Sequence, residues 1–269
     1  MIYPLRTLSE TADFKGLGLH SGVPVTVRIH PRESGILFRQ GETRVEARAD
    51  NVTDTRRCTC LGTVATVEHL MSAFAGLGIT GAEVEVEGPE LPALDGSALE
   101  WVRGLRGAGL VDTGQAQIEG PFARVYEKSE RYSLAVSSGD GWWRYTYDVG
   151  DRWPGMQDFE TNLTPDQYEA DIAPARTFGL EEELPAIRAA GLAQGLDEGS
   201  ALVLGAAGYL NEPRFPDEPA RHKLLDLLGD LYLSGVPVHR LNVVAERSGH
   251  EANVRCAQKL AVAVRLSRP

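Results

Sequence analysis

The stretch ARHKLLDLLGDLYLSG, residues 220–235, places His222, Asp226 and Asp230 at successive i, i+4 positions of a leucine-rich segment. An α-helix turns about 100° per residue, so these side chains fall within roughly 80° of one another and form one polar stripe. Apolar side chains cover the rest of the circumference, which predicts a buried helix. A buried imidazole or carboxylate needs a partner there, and the candidates are each other, water or a metal ion.

The spacing of this stripe leaves two interpretations open. Two ligand types one turn apart on one helix face are typical of helices that bind a metal ion. The same spacing also fits a hydrogen-bonded pair of His222 and Asp226 within the helix, with Asp230 at the surface. A catalytic zinc site commonly has three protein ligands, so the first interpretation requires a ligand from elsewhere in the chain.

A third ligand is offered by TVEHLMSAFAGLG, residues 66–78, which predicts a helix with Thr66 as its N-cap. Glu68 and His69 lie in the first turn, where unpaired amide groups favour an ionised carboxylate and a neutral imidazole. A metal-bound imidazole must be neutral and a general base must be ionised. A Glu-His pair at a helix start is more often a surface feature, but here it completes a set for metal-assisted hydrolysis of an amide or ester, with His250 of RSGHEAN as proton donor or charge stabiliser.

The whole chain sets the class of protein. Its 269 residues are more than one compact core usually holds, and 42% hydrophobic with 24% charged residues is a globular composition. The net charge of −11 argues against a nucleic-acid partner. The amino terminus lacks a signal-peptide core, and no run reaches the ~18 apolar residues of a membrane span, so we expect a cytoplasmic protein with no stable membrane insertion. Three cysteines suit a reducing compartment, and Cys58 and Cys60 of CTC are expected on opposite faces of a strand.

The order of predicted elements indicates an α+β fold. Strands precede helices twice along the chain, which predicts two domains, each a mostly antiparallel sheet layered with helices. A polar, glycine-containing stretch at residues 111–120 is the expected link, so the domains are predicted at residues 1–115 and 116–269. Within the second domain, EEELPAIRAAGLAQG at residues 181–195 predicts a helix.

Seven ordered blocks resemble one known family, the zinc-dependent UDP-3-O-acyl-N-acetylglucosamine deacetylases, which carry out the committed step of lipid A biosynthesis in bacteria. The blocks are GLGLHSG, NVTDTRRCTCLG, TVEHLMSAFAGLGI, PELPALDGSA, ARTFG, RHKLLDLLGDLYLSG and SGHEAN. They run through nearly the whole chain in order, which is far more specific than any single motif. The resemblance implies two α+β domains with the active site in the cleft between them.

The resemblance also implies roles for particular residues. His69, His222 and Asp226 would bind Zn²⁺, although nitrogen and oxygen ligands also accept Fe²⁺. Glu68 would be the base that activates water, and His250 the general acid or electrostatic group. Thr177 of ARTFG would stabilise the tetrahedral oxyanion, and Asp230 would hold His250 in orientation.

The substrate contacts follow from the same resemblance. Phe178 would pack on the sugar, Lys223 would contact the substrate, and His20 and Cys58 are assigned to the substrate site. At one strand end where the family usually offers a lysine, this chain reads AVSSGDG, and Arg56 with Arg57 could supply fork contacts to a diphosphate instead. The family's inserted β-α-β unit, which forms a tunnel for the acyl chain, would have its counterpart around residues 176–204.

We therefore expect a deacetylase that removes acetate from UDP-3-O-acyl-N-acetylglucosamine, with this UDP-linked acylated amino sugar as its partner and with the chain as a monomer. Two alternatives are a zinc deacetylase of another N-acetylated amino sugar and a non-catalytic, zinc-stabilised ligand-binding protein. The second alternative has no use for Glu68 or His250.

Overall fold

The computed structural model describes residues 1–119 and 122–267. The first half contains two helices, α1 (Glu68–Leu77) and α2 (Leu99–Gly107), and nine strands, which are β1 (Ile2–Leu8), β2 (Ala12–Leu17), β3 (Pro24–Pro31), β4 (Gly35–Gln40), β5 (Thr43–Glu46), β6 (Val52–Asp54), β7 (Cys60–Leu61), β8 (Gly81–Glu87) and β9 (Leu110–Ile118). The second half contains the strands β10 (Val125–Lys128), β11 (Ser133–Ser138), β12 (Trp142–Asp148), β13 (Met156–Asn162), β14 (Phe178–Leu180), β15 (Leu202–Leu204), β16 (Leu241–Glu246) and β17 (Leu266–Ser267). Its helices are α3 (Pro165–Gln167), α4 (Leu184–Ala189), α5 (Glu218–Tyr232) and α6 (His250–Ala263).

Each half is built on a five-stranded sheet, and the two sheets have the same strand order. The first sheet runs β2-β3-β8-β4-β5 and the second runs β10-β11-β16-β12-β13. In both, the third and fourth strands of the order are parallel, β8 with β4 and β16 with β12, and the other neighbours are antiparallel. The predicted α+β fold, with two mostly antiparallel sheets layered with helices, is confirmed.

Helices α1 and α5 pack against each other between the two halves, and a glycine permits their close approach. Gly229 of α5 lies against the first turn of α1, where an added Cβ would overlap the carbonyl oxygen of Glu68 and stand 2.9 Å from its carbonyl carbon. Nearly every side chain of both helices is buried, as the leucine-rich pattern predicts. Helix α1 ends at Leu77 and is capped by Gly78, which has a φ of 69° and so the left-handed conformation that favours glycine. The polar stripe of α5 thus faces the Glu-His pair of α1.

The predicted N-cap of α1 is wrong. Helix α1 begins at Glu68, and its N-cap position is Val67, which makes no side-chain capping bond. Thr66 has a φ of 63°, and its hydroxyl donates to Glu90 Oε2 at 3.3 Å. Since the φ of an N-cap residue normally lies in the extended region, this left-handed threonine serves the preceding turn instead of the helix.

The polar stretch at residues 111–120 is not a loop over most of its length. Residues 111–118 belong to β9, which lies between β1 and β17 in a three-stranded sheet, while Gly120 lies outside the described residues. Most of its side chains are exposed, so the stretch is polar, yet one edge of its backbone pairs with β1 along most of its length and the other pairs with β17 at Gln117 and Ile118. A polar composition indicates that side chains are exposed, but it does not indicate whether the backbone pairs with other strands.

Two further expectations are corrected by the structure. The thiols of Cys58 and Cys60 lie 3.8 Å apart, so they do not occupy opposite faces of a strand. Cys58 precedes β7, and side chains two residues apart in an extended segment point to the same side. The helix expected at residues 181–195 is short: a 3₁₀ turn at Glu181–Glu183 leads into α4.

Within segment 176–204, α4 connects β14 to β15, and these two strands are parallel neighbours. A parallel pair needs such a crossover connection, which explains why a helix stands between the two strands. Within residues 1–119 and 122–267, no helix is long and apolar enough to cross a membrane.

Candidate active site

The stripe of α5 and the first turn of α1 open into one cavity of about 540 Å³. Its lining comes from both halves and from segment 176–204. The polar residues of the lining include Glu68 and His69 of α1, His222, Lys223 and Asp226 of α5, His20, Arg57, Thr177 and His250. The tertiary structure therefore brings together residues from widely separated blocks of the sequence.

Three buried side chains in this cavity form a cluster suited to a metal ion. One ligand atom from each of His69, His222 and Asp226 lies within 4.8 Å of the others. Oδ1 of Asp226 is 3.4 Å from Nε2 of His222 and 3.6 Å from Nε2 of His69. Ligand atoms about 2.0–2.1 Å from a tetrahedral zinc ion lie about 3.3 Å from one another, so this spacing is close to that of a metal site.

The hydrogen bonding of the cluster fits a metal ion. Oδ1 of Asp226 is buried and finds no hydrogen-bond partner among the described residues, which is costly for a carboxylate oxygen unless a cation binds it. The Nδ1–H of His222 donates to the carbonyl oxygen of Ala175 at 3.1 Å, which leaves the lone pair of Nε2 facing the cluster. Burial lowers the pKa of His222 to about 3, so this imidazole is neutral, as a metal ligand must be.

Glu68 lies beside the cluster and is held in place by the backbone. Its Oε2 accepts a hydrogen bond from the amide of Thr59 at 2.9 Å. Burial raises the pKa of Glu68, while the nearby His250 and His69 oppose that rise. A buried carboxylate with a raised pKa is a stronger base than a solvated one, which suits it to accept a proton near neutral pH.

His250 begins α6 and forms a buried pair with Asp230. Its Nδ1–H donates to Oδ2 of Asp230 at 2.9 Å, and its Nε2 lies 4.0 Å from Oδ2 of Asp226. Burial alone would lower the pKa of His250, but the Asp230 carboxylate outweighs burial and raises the pKa to about 10. The ring therefore carries a proton at neutral pH with Nε2 directed to the metal-ligand side, which suits a proton donor.

Lys223 of α5 and the last three residues of ARTFG, Thr177, Phe178 and Gly179, also line the cavity. Lys223 donates to Oδ2 of Asp226 at 3.0 Å, and its ammonium lies 5.6 Å from the ring centre of Phe178. Burial would lower the pKa of Lys223, but the charge of Asp226 raises it, so the side chain stays cationic. Phe178 meets the ring of His222 edge to face at 5.9 Å, and Thr177 lies next to it on the lining.

The remaining sequence-predicted residues divide into two groups. His20 and Arg57 line the cavity, and both ring nitrogens of His20 are buried with no hydrogen-bond partner in residues 1–119 and 122–267. Arg56 is 87% exposed, absent from the lining and held by Asp54 through both carboxylate oxygens. Cys58 is buried behind the lining. Of the paired arginines, only Arg57 reaches the cavity.

Sequence reasoning missed Thr59 and Asn253, whose side chains both donate to Asp230. Thr59 lies in the block NVTDTRRCTCLG and Asn253 in the block SGHEAN, so the resemblance covered their positions without marking them. It also missed Arg176, whose guanidinium forms a buried ion pair with Glu218 at 2.9 Å and fixes the ARTFG loop to the start of α5. Polar residues next to a recognised motif were the only available signal.

Fold and site together match one class, the metal-dependent hydrolases, because a His-Asp cluster suited to a cation, a buried carboxylate and a protonated imidazole meet in one cavity. The chain belongs to the UDP-3-O-acyl N-acetylglycosamine deacetylase family, whose sequence model matches residues 5–262.

Curated relatives match over almost the full chain. A UDP-3-O-acyl-N-acetylglucosamine deacetylase of Thermosynechococcus vestitus is 37% identical over 95% of this chain and 93% of its own length. Proteins of the same name from a Nostoc species and from Citrifermentans bemidjiense are 36% and 35% identical, over 94% and 95% of this chain and 97% and 88% of their own lengths. The similarity therefore includes both halves and the cavity between α1 and α5.

Proposed function

We propose that this chain hydrolyses the acetamido group of UDP-3-O-acyl-N-acetylglucosamine, which releases acetate, leaves a free amine and is the committed step of lipid A biosynthesis. The observation that carries the proposal is the unpartnered Oδ1 of Asp226, which faces His69 and His222 beside the carboxylate of Glu68. The relatives match more than nine tenths of this chain, and the activity in their names supports the assignment of this substrate.

We assign His69, His222 and Asp226 as the ligands of one Zn²⁺ ion. Ferrous iron is the alternative, because donors of this kind accept both metals and availability in the cell decides between them. The bound cation supplies Lewis acidity, which polarises the amide carbonyl and favours loss of a proton from the attacking water.

Glu68 and His250 move the protons. Glu68 takes a proton from the water while the water oxygen attacks the amide carbon. The Thr59 amide holds the carboxylate in place through its Oε2 atom. The Nε2–H of His250 then protonates the departing nitrogen as the C–N bond breaks. Asp230 fixes the Nδ1 side of that ring and favours its cationic form, so the proton is available at Nε2.

Other lining residues are assigned to the substrate. The hydroxyl of Thr177 stabilises the oxyanion that forms at the amide carbonyl, and Phe178 packs against the sugar ring. Lys223 and the unpartnered imidazole of His20 offer polar contacts. Arg57 takes the diphosphate contact, since Arg56 is already bound by Asp54 outside the lining.

The acyl chain is assigned to the apolar part of the cavity. Leu180, Leu184, Ile187 and Leu202, all from segment 176–204, line this part. Burial of a saturated chain there contributes about 0.8 kcal/mol per CH₂ group, which gives the segment a direct role in selecting acylated substrates.

The proposal also covers organisation and location. Residues 1–115 and 116–269 are the two domains, with the active site in the cleft between them, and segment 176–204 is the insertion of the second. The shared packing of α1 and α5 supports this division. We place the enzyme in the cytoplasm as a monomer.

The test combines metal content with acetate release from the acylated nucleotide sugar. For Glu68→Gln we expect full metal occupancy and a kcat about 10²- to 10⁴-fold lower, because the base is lost while the ligands remain. Glu251→Gln is the matched control, since Glu251 is next to His250 but is 68% exposed and paired with Arg255. It should retain wild-type kinetics.

Three results would contradict the proposal. Near-normal turnover in Glu68→Gln would show that Glu68 is not the general base. Release of acetate from other N-acetylated amino sugars, but not from the acylated nucleotide sugar, would favour the first alternative. Metal binding without any acetate release in the wild-type protein would favour a ligand-binding protein, against which the buried Glu68 already argues.

A further inference from the structure

Thr59 is a buried residue that contacts both halves of the proposed catalytic machinery. It lies between β6 and β7 with none of its surface exposed. Its amide donates to Oε2 of Glu68 at 2.9 Å, and its hydroxyl donates to Oδ1 of Asp230 at 2.6 Å. One residue of the first half thus binds both the carboxylate on α1 and the carboxylate on α5.

The hydroxyl of Thr59 is one of three side-chain donors that hydrogen-bond the carboxylate of Asp230. Oδ2 of Asp230 accepts from Nδ1–H of His250 and from Nδ2–H of Asn253, both at 2.9 Å. Oδ1 accepts from Thr59, and among residues 1–119 and 122–267 no other side chain donates to it. Two of the three donors lie on α6 and the third lies between β6 and β7, so the plane of this fully buried carboxylate is fixed from two sides.

Removal of the hydroxyl would release the carboxylate. A buried carboxylate oxygen without a donor loses a charge-assisted hydrogen bond and has no access to water for compensation. Asp230 would then rotate or recruit another donor, and the ring of His250 would lose its fixed orientation. Thr59 itself is absent from the cavity lining, so substrate binding would be unaffected.

We propose that Thr59 is a positioning residue for this reaction: its hydroxyl holds Asp230, and through it His250, in place, while its amide holds Glu68. The inference rests on the proposed roles of Glu68, Asp230 and His250. It makes one buried threonine the link that keeps the proton acceptor and the proton donor at a fixed spacing across the two halves.

The first experiment replaces the hydroxyl without changing the shape of the side chain. For Thr59→Val we expect kcat to fall about 10- to 100-fold with KM within about twofold of wild type, and Thr59→Ser should recover most of the loss. Thr161→Val is the matched control, since Thr161 is also buried but its hydroxyl donates to the carbonyl of the neighbouring Asn162 and not to a carboxylate of the site. It should behave as wild type.

If Thr59→Val does not fold, Thr59→Ser and Thr59→Ala replace it. Both lack the γ-methyl group, so the difference between them isolates the hydroxyl. A KM that rises with kcat unchanged, or equal kcat values for the serine and alanine variants, would overturn the inference.

A double-mutant cycle separates positioning from a general structural role. In a His250→Gln background, Thr59→Val should cause no further loss of kcat beyond about twofold, because its effect passes through that ring. The imidazole N–H resonance of His250, recorded on metal-free protein, should move in Thr59→Val and return in Thr59→Ser. Additive losses with an unmoved resonance would show a structural role only and overturn the inference.

The outcomes also distinguish this inference from the proposed function. A wild-type rate in His250→Gln would refute the proposed acid and the inference together. A large loss in His250→Gln with wild-type kinetics in Thr59→Val would refute the inference alone.

Discussion

Replacement of Gly229 by alanine is predicted to disturb stability and catalysis together, because this residue sets the distance between α5 and α1. An added Cβ would overlap the carbonyl oxygen of Glu68 and lie 2.9 Å from the carbonyl carbon and 3.0 Å from the amide nitrogen of Ser72. Ordinary contact begins at 3.4 Å, so the helices must separate by at least 0.5 Å to relieve the carbon and by more to relieve the oxygen. The obstructing atoms belong to backbone, so no side-chain rotation can relieve the overlap.

The energetic balance is unfavourable. Overpacking of a core typically costs about 1–3 kcal/mol, and a backbone clash belongs at the upper end of that range. Alanine in place of glycine inside a helix stabilises the folded state by about 0.5–1 kcal/mol. We therefore expect a net loss of about 2 kcal/mol in the free energy of unfolding, which for a chain of this size lowers the Tm by about 4–8 °C.

The catalytic effect follows from the elements involved. Glu68 and His69 lie on α1, while His222 and Asp226 lie on α5, so any separation of the helices pulls the proposed metal ligands apart. Misplacement of reacting groups by about 1 Å can cost about 10²-fold in rate, and we expect kcat/KM to fall about 10- to 100-fold with weaker metal retention.

The assays are differential scanning calorimetry, metal content and acetate release, with Gly107→Ala as the control. Gly107 is the last residue of α2, and an added Cβ there would meet nothing within 4 Å. The control should keep wild-type activity and a Tm equal to or above wild type. A Gly229→Ala protein with wild-type Tm would refute the packing argument, and one with lowered Tm but unchanged kcat/KM would refute the link between helix spacing and the metal ligands.

Two further predictions concern the proposed ligands and proton donor. His222→Ala should lose most of its bound metal, since one of three protein ligands is removed, and full occupancy by elemental analysis would show that the ligand set is wrong. Asp230→Asn should move the alkaline limb of the kcat/KM profile to lower pH and leave the acid limb in place. The reason is that the Asp230 charge raises the pKa of His250, so its removal lets the ring lose its proton sooner as pH rises. If the limb stays in place in both Asp230→Asn and His250→Gln, it belongs to the metal site or another group.

The sequence by itself determined the local features of this protein. The i, i+4 spacing of His222, Asp226 and Asp230 gave one buried helix face, because helical geometry is set over a few residues. Alternating and leucine-rich segments predicted the two α+β units for the same reason. The resemblance placed Glu68, His69 and His250 with that stripe. The structure brings these three residues, His222 and Asp226 to one cavity, with Asp230 buried behind His250.

The tertiary structure alone decided which neighbours complete the site. Arg56 and Arg57 are equivalent by composition, yet the backbone turn at Arg57, with a φ of 70°, directs only one of them to the cavity. The expected cap at Thr66 was wrong, and the polar residues 111–118 form a strand instead of a loop, because both features depend on contacts with distant strands. The Thr59 amide that holds Glu68 has no signature in sequence, since almost every residue carries an amide and only packing selects the one that is used.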